Sequence, residues 1–334
     1  MQNETHDFID RLTVGRKQSY RNMELYPLLS DYAVTFDYLI LDEALAQKVV
    51  DIVEIDKGGS VPELKVVNNA TLKILILDGE ELVGAKQNRI VNTTILVREK
   101  SSVVIPVSCV EQGRWSNVSS GFSSEERVMP SFMRARKAER VHQSVRESGQ
   151  YRSDQSEIWN DINEKAQRMD ADSPTMEMRS IYTKSRPQVD EYLSSFPLVD
   201  QQIGSLVAIN GKIVGMDCLG KAQTFSQVSR KLVESYVLDA VDWFNDGELT
   251  EISKHDVENF LQQIQSAAFE KNKGVDLGMD YRIADPRLTG FSFLHENQIL
   301  HMSFFLKNLE SGQTSPKTRM QRYSARRQHR NEYF

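Results

Sequence analysis

The sequence predicts an α+β fold in which a β-rich N-terminal half packs with a helical C-terminal half that contains hairpins. Across residues 30–118, short apolar runs are separated by close turns, which is typical of an antiparallel sandwich or an open barrel. After Trp115 the apolar residues recur every three or four positions, the period of a helix. Within this second half, 130–307, Asn210-Gly211 between two apolar runs predicts a hairpin with both turn residues at positive φ.

Strands of the first half are predicted wherever apolar residues alternate or run together between turn residues. They cover 33–41, 49–55, 64–67, 72–77, 89–97 and 103–107. Asp42 is predicted to cap a short helix over 42–47, and residues 57–60 to form a turn. Asp78-Gly79 predicts a hairpin after the 72–77 strand. Because Pro106 has no backbone N–H, the 103–107 strand is expected at a sheet edge or to end in a bulge.

Helices of the second half are predicted from apolar stripes and from capping residues. They cover 131–145, 154–169, 187–196, 221–244 and 253–268, with further strands at 287–294 and 299–306. Asp154, with Glu157 three residues later, is the predicted cap of the second helix, and Pro187 fits the first turn of the third. Asn245-Asp246-Gly247 is expected to stop the fourth. No linker divides the halves, so we expect residues 1–311 to form a single unit.

Composition excludes several classes of protein. The chain has 14 Phe, 11 Tyr and 3 Trp, enough to fill a sizeable core, so it is not wholly disordered. No apolar run approaches the length of a transmembrane helix. Two cysteines exclude a disulfide scaffold, and the chain has no HExxH, GxGxxG, P-loop or GxSxG motif. We therefore predict neither a metal nor another cofactor. The polar start, 1–10, is not a signal peptide, so we expect a cytoplasmic protein without membrane contact.

Charge is distributed unevenly along the chain. The formal net charge is −6, but residues 312–334 carry six Lys or Arg against Glu332, a net of +5, which leaves −11 for the rest. An acidic body disfavours broad nucleic-acid binding. The basic tail has no apolar stripe and is expected to be disordered. A solvated tail is the simplest interpretation, and docking to a protein or a nucleic acid is the alternative.

Two polar segments inside the β pattern, 78–92 and 105–115, contain the candidate functional residues. Such groups are costly to bury unless they are paired or bind a ligand. Arginine and lysine can hold a phosphate while an indole stacks on a base. The predicted ligand-binding residues are Lys86, Gln87, Asn88, Arg89, Asn92, Arg114 and Trp115. The predicted general bases, should the ligand be hydrolysed, are Glu80 and Glu111, with Arg89 and Arg114 stabilising phosphate charge.

The structural alternative is that these charges form internal ion pairs, such as Arg89 with Glu111 or Lys86 with Glu80, and residue types alone favour it. If the strands starting at Arg89 and at Val103 are antiparallel neighbours, Arg89 meets residues 109–111 and both polar segments reach one cleft. A second basic group lies on the first long helix. Its residues, Arg134, Arg136, Lys137 and Arg140, are expected to form a solvated face.

Four stretches also carry a family resemblance. LDGEELVGAKQNRIVNTTILV, IPVSCVEQGRW, GSLVAINGKIVGMDCLG and ESYVLDAVDWF together resemble the ARG and rhodanese-phosphatase-superfamily-associated protein domain, from about Tyr32 to Phe305. The family has no firmly assigned reaction. Its name records association with ADP-ribosylglycohydrolases and rhodanese-phosphatases, which implies NAD- or ADP-ribose-linked metabolism, or a bacterial stress or antiviral defence system.

These observations together predict a cytoplasmic protein that binds a small nucleotide-derived anion, ADP-ribose- or NAD-like. Whether it hydrolyses that ligand stays open at this point. The alternative is a non-enzymatic, homo-oligomeric scaffold or interaction subunit of a defence system, in which the polar segments are buried structural networks.

Overall fold

The computed structural model describes residues 3–55, 60, 62–245 and 250–307, and these contain eight helices and eighteen strands in an α+β arrangement. The predicted turn at 57–60, apart from Ser60, the helix stop at Asp246-Gly247 and the basic tail lie outside the described residues. Within the part described, no helix combines the length and the apolar character needed to cross a bilayer.

The helices are α1 (Asn3–Asp10), α2 (Leu41–Ala46), α3 (Ser131–Ser148), α4 (Gln155–Arg168), α5 (Met178–Lys184), α6 (Arg186–Ser194), α7 (Ala222–Asp242) and α8 (Lys254–Ser266). The strands before α3 are β1 (Thr13–Val14), β2 (Gln18–Tyr20), β3 (Met23–Leu29), β4 (Tyr38–Ile40), β5 (Val50–Val53), β6 (Glu63–Asn68), β7 (Lys73–Ile76), β8 (Glu80–Gly84), β9 (Arg89–Val91), β10 (Ile95–Val97), β11 (Ser101–Cys109) and β12 (Phe122–Val128). The later strands are β13 (Gln202–Ile209), β14 (Lys212–Leu219), β15 (Ala268–Lys273), β16 (Met279–Ala284), β17 (Leu288–His295) and β18 (Gln298–Leu306).

The largest sheet has nine strands and is built from both ends of the chain. Its order is β1-β3-β13-β14-β18-β17-β16-β15, with β2 also paired to β3. Strand β3 is antiparallel to β13, with Met23 opposite Ile209, so residues before 30 belong to the same sheet as residues after 200. The protein is therefore α+β, but its sheets do not follow a division into an N-terminal and a C-terminal half.

The remaining strands form a six-stranded sheet, β12-β8-β9-β11-β6-β5, and a three-stranded sheet, β10-β7-β4. The hairpin predicted at Asp78-Gly79 is wrong, because β7 and β8 lie in different sheets. Gly79 does adopt a positive φ of 78°, but its turn transfers the chain from one sheet to the next. The predicted strand 89–97 is likewise two strands, β9 and β10, one in each of these sheets.

Pro106 lies inside the six-stranded sheet and not at its edge. Strand β11 pairs with β6 up to Pro106, opposite Glu63, and with β9 from Val107 onward. The missing N–H of proline thus falls where the strand changes partner, so no ladder hydrogen bond is lost in mid-strand. The edge assignment is corrected for this reason.

Several local predictions are confirmed. The Asp154 side chain accepts hydrogen bonds from the backbone N–H groups of Ser156 and Glu157, at 2.9 and 3.0 Å, and so caps α4. Pro187 lies in the first turn of α6. The hairpin between β13 and β14 turns at Asn210 and Gly211, whose φ angles are 52° and 70°.

Buried charges join α3 to the sheets. Arg134 is fully buried and donates to both oxygens of Asp217, at 3.0 and 2.6 Å. Lys137 is also buried and pairs with Asp78. The predicted solvated face of α3 is therefore wrong for these two residues, whereas Arg136 and Arg140 are about 40% exposed and pair with Asp161 and Glu157 on α4.

Candidate functional site

The two polar segments meet at one end of β9 and β11, which are antiparallel neighbours as predicted, although the chain between them passes through β10 in another sheet. Arg89 lies directly opposite Cys109 in the antiparallel pair. The loop before β9 contains Lys86, Gln87 and Asn88, and the loop after β11 contains Glu111, Arg114 and Trp115. The Asn88 backbone N–H donates to Glu111 Oε2 at 3.2 Å, which joins the two loops.

Arg114 braces these loops with every donor that it has. Its Nε and Nη2 donate to the two oxygens of Glu111, at 2.8 and 2.6 Å. Nη2 also donates to Asn88 Oδ1 at 3.1 Å, and Nη1 donates to the carbonyls of Ala85 and Ser116 at 2.7 and 3.0 Å. A guanidinium has five N–H groups, so none remains for a phosphate. In this geometry Arg114 positions the loops, and a direct ligand contact would require it to give up an internal bond.

Arg89, by contrast, is fully buried and only partly satisfied. Its Nη1 donates to the backbone and side-chain oxygens of Gln87, at 3.1 and 3.2 Å. Nε and Nη2 have no hydrogen-bond partner among the described residues. Glu54 is the nearest carboxylate, 3.9 Å from Nη2, and both of its oxygens are also without a hydrogen-bond partner within the described part of the chain.

Trp115 covers this guanidinium and is itself 48% exposed. Its ring centroid lies 5.7 Å from Arg89 Cζ and 5.3 Å from Lys86 Nζ, both within cation–π distance. We call Glu54, Lys86, Arg89 and Trp115 the Trp115 site. It combines a half-exposed aromatic face, two cations and a carboxylate.

The electrostatics of the two loops follow from burial and from the Arg114 brace. Burial would raise the pKa of Glu111, but hydrogen bonds from Arg114 and from the Asn88 N–H outweigh it and lower that pKa. Glu111 is therefore ionised at neutral pH. Burial lowers the pKa of Arg89 and raises the pKa of the Cys109 thiol to about 11. Cys109 is thus a protonated, structural cysteine and not a nucleophile.

Two predicted site residues lie away from this cluster. Glu80 begins β8, at the end opposite the Lys86 loop, and pairs with Lys231 of α7. Asn92 donates to the Tyr151 carbonyl at 3.0 Å and accepts from the Ser108 hydroxyl at 2.8 Å. The expected pairing of Glu80 with Lys86 is corrected, and the placement of Glu80 and Asn92 in the cleft is corrected with it.

A group with the composition of a hydrolase triad was missed in the sequence. Thr94 Oγ1 lies 2.7 Å from His301 Nδ1, and His301 Nε2 lies 3.6 Å from Asp217 Oδ1. All three side chains are buried, and Thr94 Oγ1 also accepts the Asp78 backbone N–H at 3.1 Å. Asp217 is further held by Arg134 and by the Tyr236 hydroxyl at 2.8 Å. The group therefore belongs to the core, where it joins β14 and β18 to α3 and α7.

Within the described ranges, no three His, Cys, Asp or Glu side chains are grouped closely enough to hold a metal ion. Glu54 and Glu111, the carboxylates near the two loops, have arginine neighbours instead, Arg89 and Arg114.

Comparison with known proteins identifies the family of the chain. No curated protein and no solved structure matches the chain significantly. Residues 11–305 match the profile of ARPP-1, the ARG and Rhodanese-Phosphatase-superfamily-associated Protein domain. This range contains every described sheet and both polar segments, so the chain belongs to the ARG and Rhodanese-Phosphatase-superfamily-associated Protein domain family.

Proposed function

We propose that the Trp115 site binds a small nucleotide-derived anion, ADP-ribose- or NAD-like. The observation that carries this proposal is the buried Arg89 guanidinium, whose Nε and Nη2 have no hydrogen-bond partner among the described residues and which lies under a half-exposed indole. Unmatched donors beneath an aromatic face suit a phosphate attached to a base. The bacterial stress or defence context is part of the same proposal and rests on the family name alone.

The ligand would contact three side chains in different ways. The base stacks on the Trp115 indole, and the phosphate accepts from Arg89. Ribose hydroxyls donate to Glu54, whose oxygens also lack a partner within the described part of the chain. Because Arg89 has no exposed surface, the indole must turn aside before a phosphate can reach it. Lys86, 5.3 Å from the ring centroid, adds a second positive charge.

If the bound ligand is hydrolysed, Glu111 is the general base that this site offers. It is ionised at neutral pH and lies in the loop next to Trp115. Both of its oxygens accept hydrogen bonds from Arg114, so one of these bonds must lengthen before Glu111 can take a proton from water. Glu80 is too far along β8 to act on the same ligand.

Calorimetric titration and thermal denaturation with ADP-ribose, NAD, AMP and inorganic phosphate test the proposal. Ligand at 100 times its dissociation constant should stabilise the protein by about 2.7 kcal/mol. Trp115→Ala should abolish this gain without unfolding the protein, and Val118→Ala, in the same loop and 65% exposed, should keep it. No stabilisation by any of the four compounds, or equal stabilisation of the Trp115→Ala variant, would contradict the proposal.

A second candidate function is the oligomeric scaffold. It is favoured by the complete internal pairing of Arg114 and by the exposed apolar side chains of Trp115 and Val118 on one loop. Light scattering after gel filtration separates the two candidates. A scaffold predicts an oligomer that Trp115→Ala and Val118→Ala both dissociate, whereas a ligand site predicts that the assembly state is independent of these substitutions.

A further inference from the structure

We propose that a second cavity, in which carboxylates outnumber cations around the buried Lys231 ammonium, binds a small organic cation with a primary amine or guanidinium group. The cavity is distinct from the Trp115 site. Its volume is about 350 Å³, which lies within the ~300–1,000 Å³ typical of small-molecule sites. We call it the Lys231 cavity.

Four elements enclose the Lys231 cavity. They are the start of α2, the irregular end of β12, the start of α6 and the middle of α7. Strand β12 is out of register with β8 between Ser124 and Val128, where Glu126 has a positive φ of 53°. The lining residues that carry charge are Asp42, Glu43, Glu125, Glu126, Arg127, Arg186, Arg230, Lys231 and Glu234.

Lys231 is part of the wall of the cavity, and its charge is already balanced. Its Nζ donates to Asp42 Oδ2 at 2.6 Å and to Glu80 Oε1. The positive charge of Lys231 is therefore already matched within the wall. The second oxygen of Asp42, Oδ1, is buried and has no hydrogen-bond partner among the described residues. A buried acceptor of this kind is unfavourable until a donor reaches it.

The other cations of the lining are paired as well. Arg186 Nη1 donates to Glu234 at 3.2 Å, and Asp190 lies 2.8 Å from Arg186 and 3.0 Å from Arg230. Arg127 lies 3.4 Å from Glu125. These pairs leave the positive charges of the wall matched.

Glu43 shows where the surplus of negative charge lies. Its two oxygens accept from neutral donors, the Ile40 backbone N–H at 3.0 Å and the Gln227 side-chain amide. Within the described residues, no Lys or Arg forms an ion pair with Glu43. An incoming amine or guanidinium supplies several donors and a positive charge to the Glu43 carboxylate, and it can reach Asp42 Oδ1 only if the wall shifts, because that oxygen is buried. An anion would instead face unmatched carboxylates.

Calorimetric titration of the full-length protein with agmatine, putrescine and spermidine at low salt tests this inference. We expect binding that weakens as ionic strength rises, since the attraction is electrostatic. Glu43→Gln should weaken binding roughly three- to fivefold, in line with a partly exposed ion pair. Asp42→Asn should weaken it more. The matched control is Glu258→Gln on α8, an exposed carboxylate that does not line the cavity, and it should leave the dissociation constant unchanged.

The outcomes separate this inference from the proposed function. Trp115→Ala should keep amine binding, whereas it abolishes binding of ADP-ribose. If Asp42→Asn fails to fold because Lys231 loses a partner, Glu43→Gln still tests the inference. The side-chain oxygen of the new glutamine can accept the Ile40 N–H, and Gln227 can turn its amide to match the new side chain, so this variant should fold. The inference is overturned if none of the three amines binds, if Glu43→Gln binds as tightly as the parent protein, or if inorganic phosphate binds in this cavity in their place.

Discussion

Arg114 shows how one side chain can hold two loops together without contacting a ligand. We expect Arg114→Ala to lower the free energy of unfolding by about 2–4 kcal/mol, because the buried Glu111 then keeps only the Asn88 N–H and the Thr175 side chain as donors and loses its counter-charge. Urea denaturation measures this loss. Arg146→Ala, whose side chain is 65% exposed, is the control and should change stability by less than about 0.5 kcal/mol. An Arg114→Ala protein as stable as the parent would show that the brace contributes nothing.

Glu81 is a fully buried carboxylate whose two oxygens have no hydrogen-bond partner among the described residues. Burial raises its pKa from 4.5 to about 7, Arg127 and Arg179 oppose this rise, and Glu125 and Glu177 add to it. The folded protein therefore keeps a proton that the unfolded chain releases above pH 4.5. Its contribution to stability is present at low pH and is lost as the pH rises from about 4.5 through about 7.

We predict that Glu81→Gln stabilises the protein at pH 8 by roughly 1–3 kcal/mol and has little effect at pH 5. Urea denaturation at the two pH values, with Glu258→Gln as an exposed control, measures the difference. Destabilisation at pH 8 would mean that the ionised carboxylate makes a favourable contact.

At the scale of residues, the sequence predicted neighbours along the chain better than distant partners. The strand that starts at Arg89 was expected to lie antiparallel to the strand that starts at Val103, and Arg89 does lie opposite Cys109. The expected Arg89–Glu111 ion pair is not formed: Glu111 pairs with Arg114, and the carboxylate nearest Arg89 belongs to Glu54. Glu80 was assigned a local partner, but it pairs with Lys231 of α7. Arg134 and Lys137 were expected in solvent because a run of basic residues on a helix is usually a solvated face, and their aspartate partners, far along the chain, could not be identified from the pattern. Charges that are paired only in the tertiary structure carry no signal in a local pattern.

Among the elements, the β13–β14 hairpin is the most strictly determined by its turn. A Cβ on Gly211 would lie 2.5 Å from Thr250 Cβ, in addition to the strain of φ = 70°. We expect Gly211→Val to lower the free energy of unfolding by about 2–3 kcal/mol, measured in urea. Gly149→Val is the control: its φ of 71° carries the same backbone strain, but among the described residues no atom lies within 4 Å of the added Cβ, so it should have a smaller effect. A neutral Gly211→Val would contradict the tight approach to Thr250.

Local capping and turn chemistry was predicted correctly at Asp154 and at Asn210-Gly211, but not at Asp42, which lies inside α2 while Ile40 is the N-cap. The predicted elements were wrong where the chain leaves one sheet for another. Asp78-Gly79 has the composition of a hairpin, yet the strands that it joins belong to different sheets. Strand β15, with the sequence AFEKNK, was not predicted because apolar and polar residues do not alternate in it. It is the edge strand of the nine-stranded sheet, and all of its residues are exposed or half-buried. It forms by pairing with β16 along its full length.

For the whole molecule, the basic segment 312–334 is predicted to be dispensable for folding. It carries six Lys or Arg and no apolar stripe, so it has little apolar surface to bury against the acidic body. A chain truncated after Ser311 should keep its melting temperature within about 2 °C. A drop of many degrees would show that this segment packs on the rest of the protein.

The nine-stranded sheet was beyond prediction from local patterns, because its register joins strands from the two ends of the sequence. The sequence of β3 does not identify β13 as its partner. Both are apolar β segments, and many such pairings have similar local energies. Only the complete set of contacts, including the shared neighbours β14 and β18, selects this arrangement.

This arrangement has a consequence for synthesis on the ribosome. Strand β3 is made early, but its partner β13 emerges roughly 180 residues later, a delay of about 10–40 s at usual elongation rates. During that interval the apolar segment MELYPLL is a nascent strand without its principal neighbour. We therefore expect the emerging chain to be a client of ribosome-associated chaperones, and its yield to depend on them more than its final stability does.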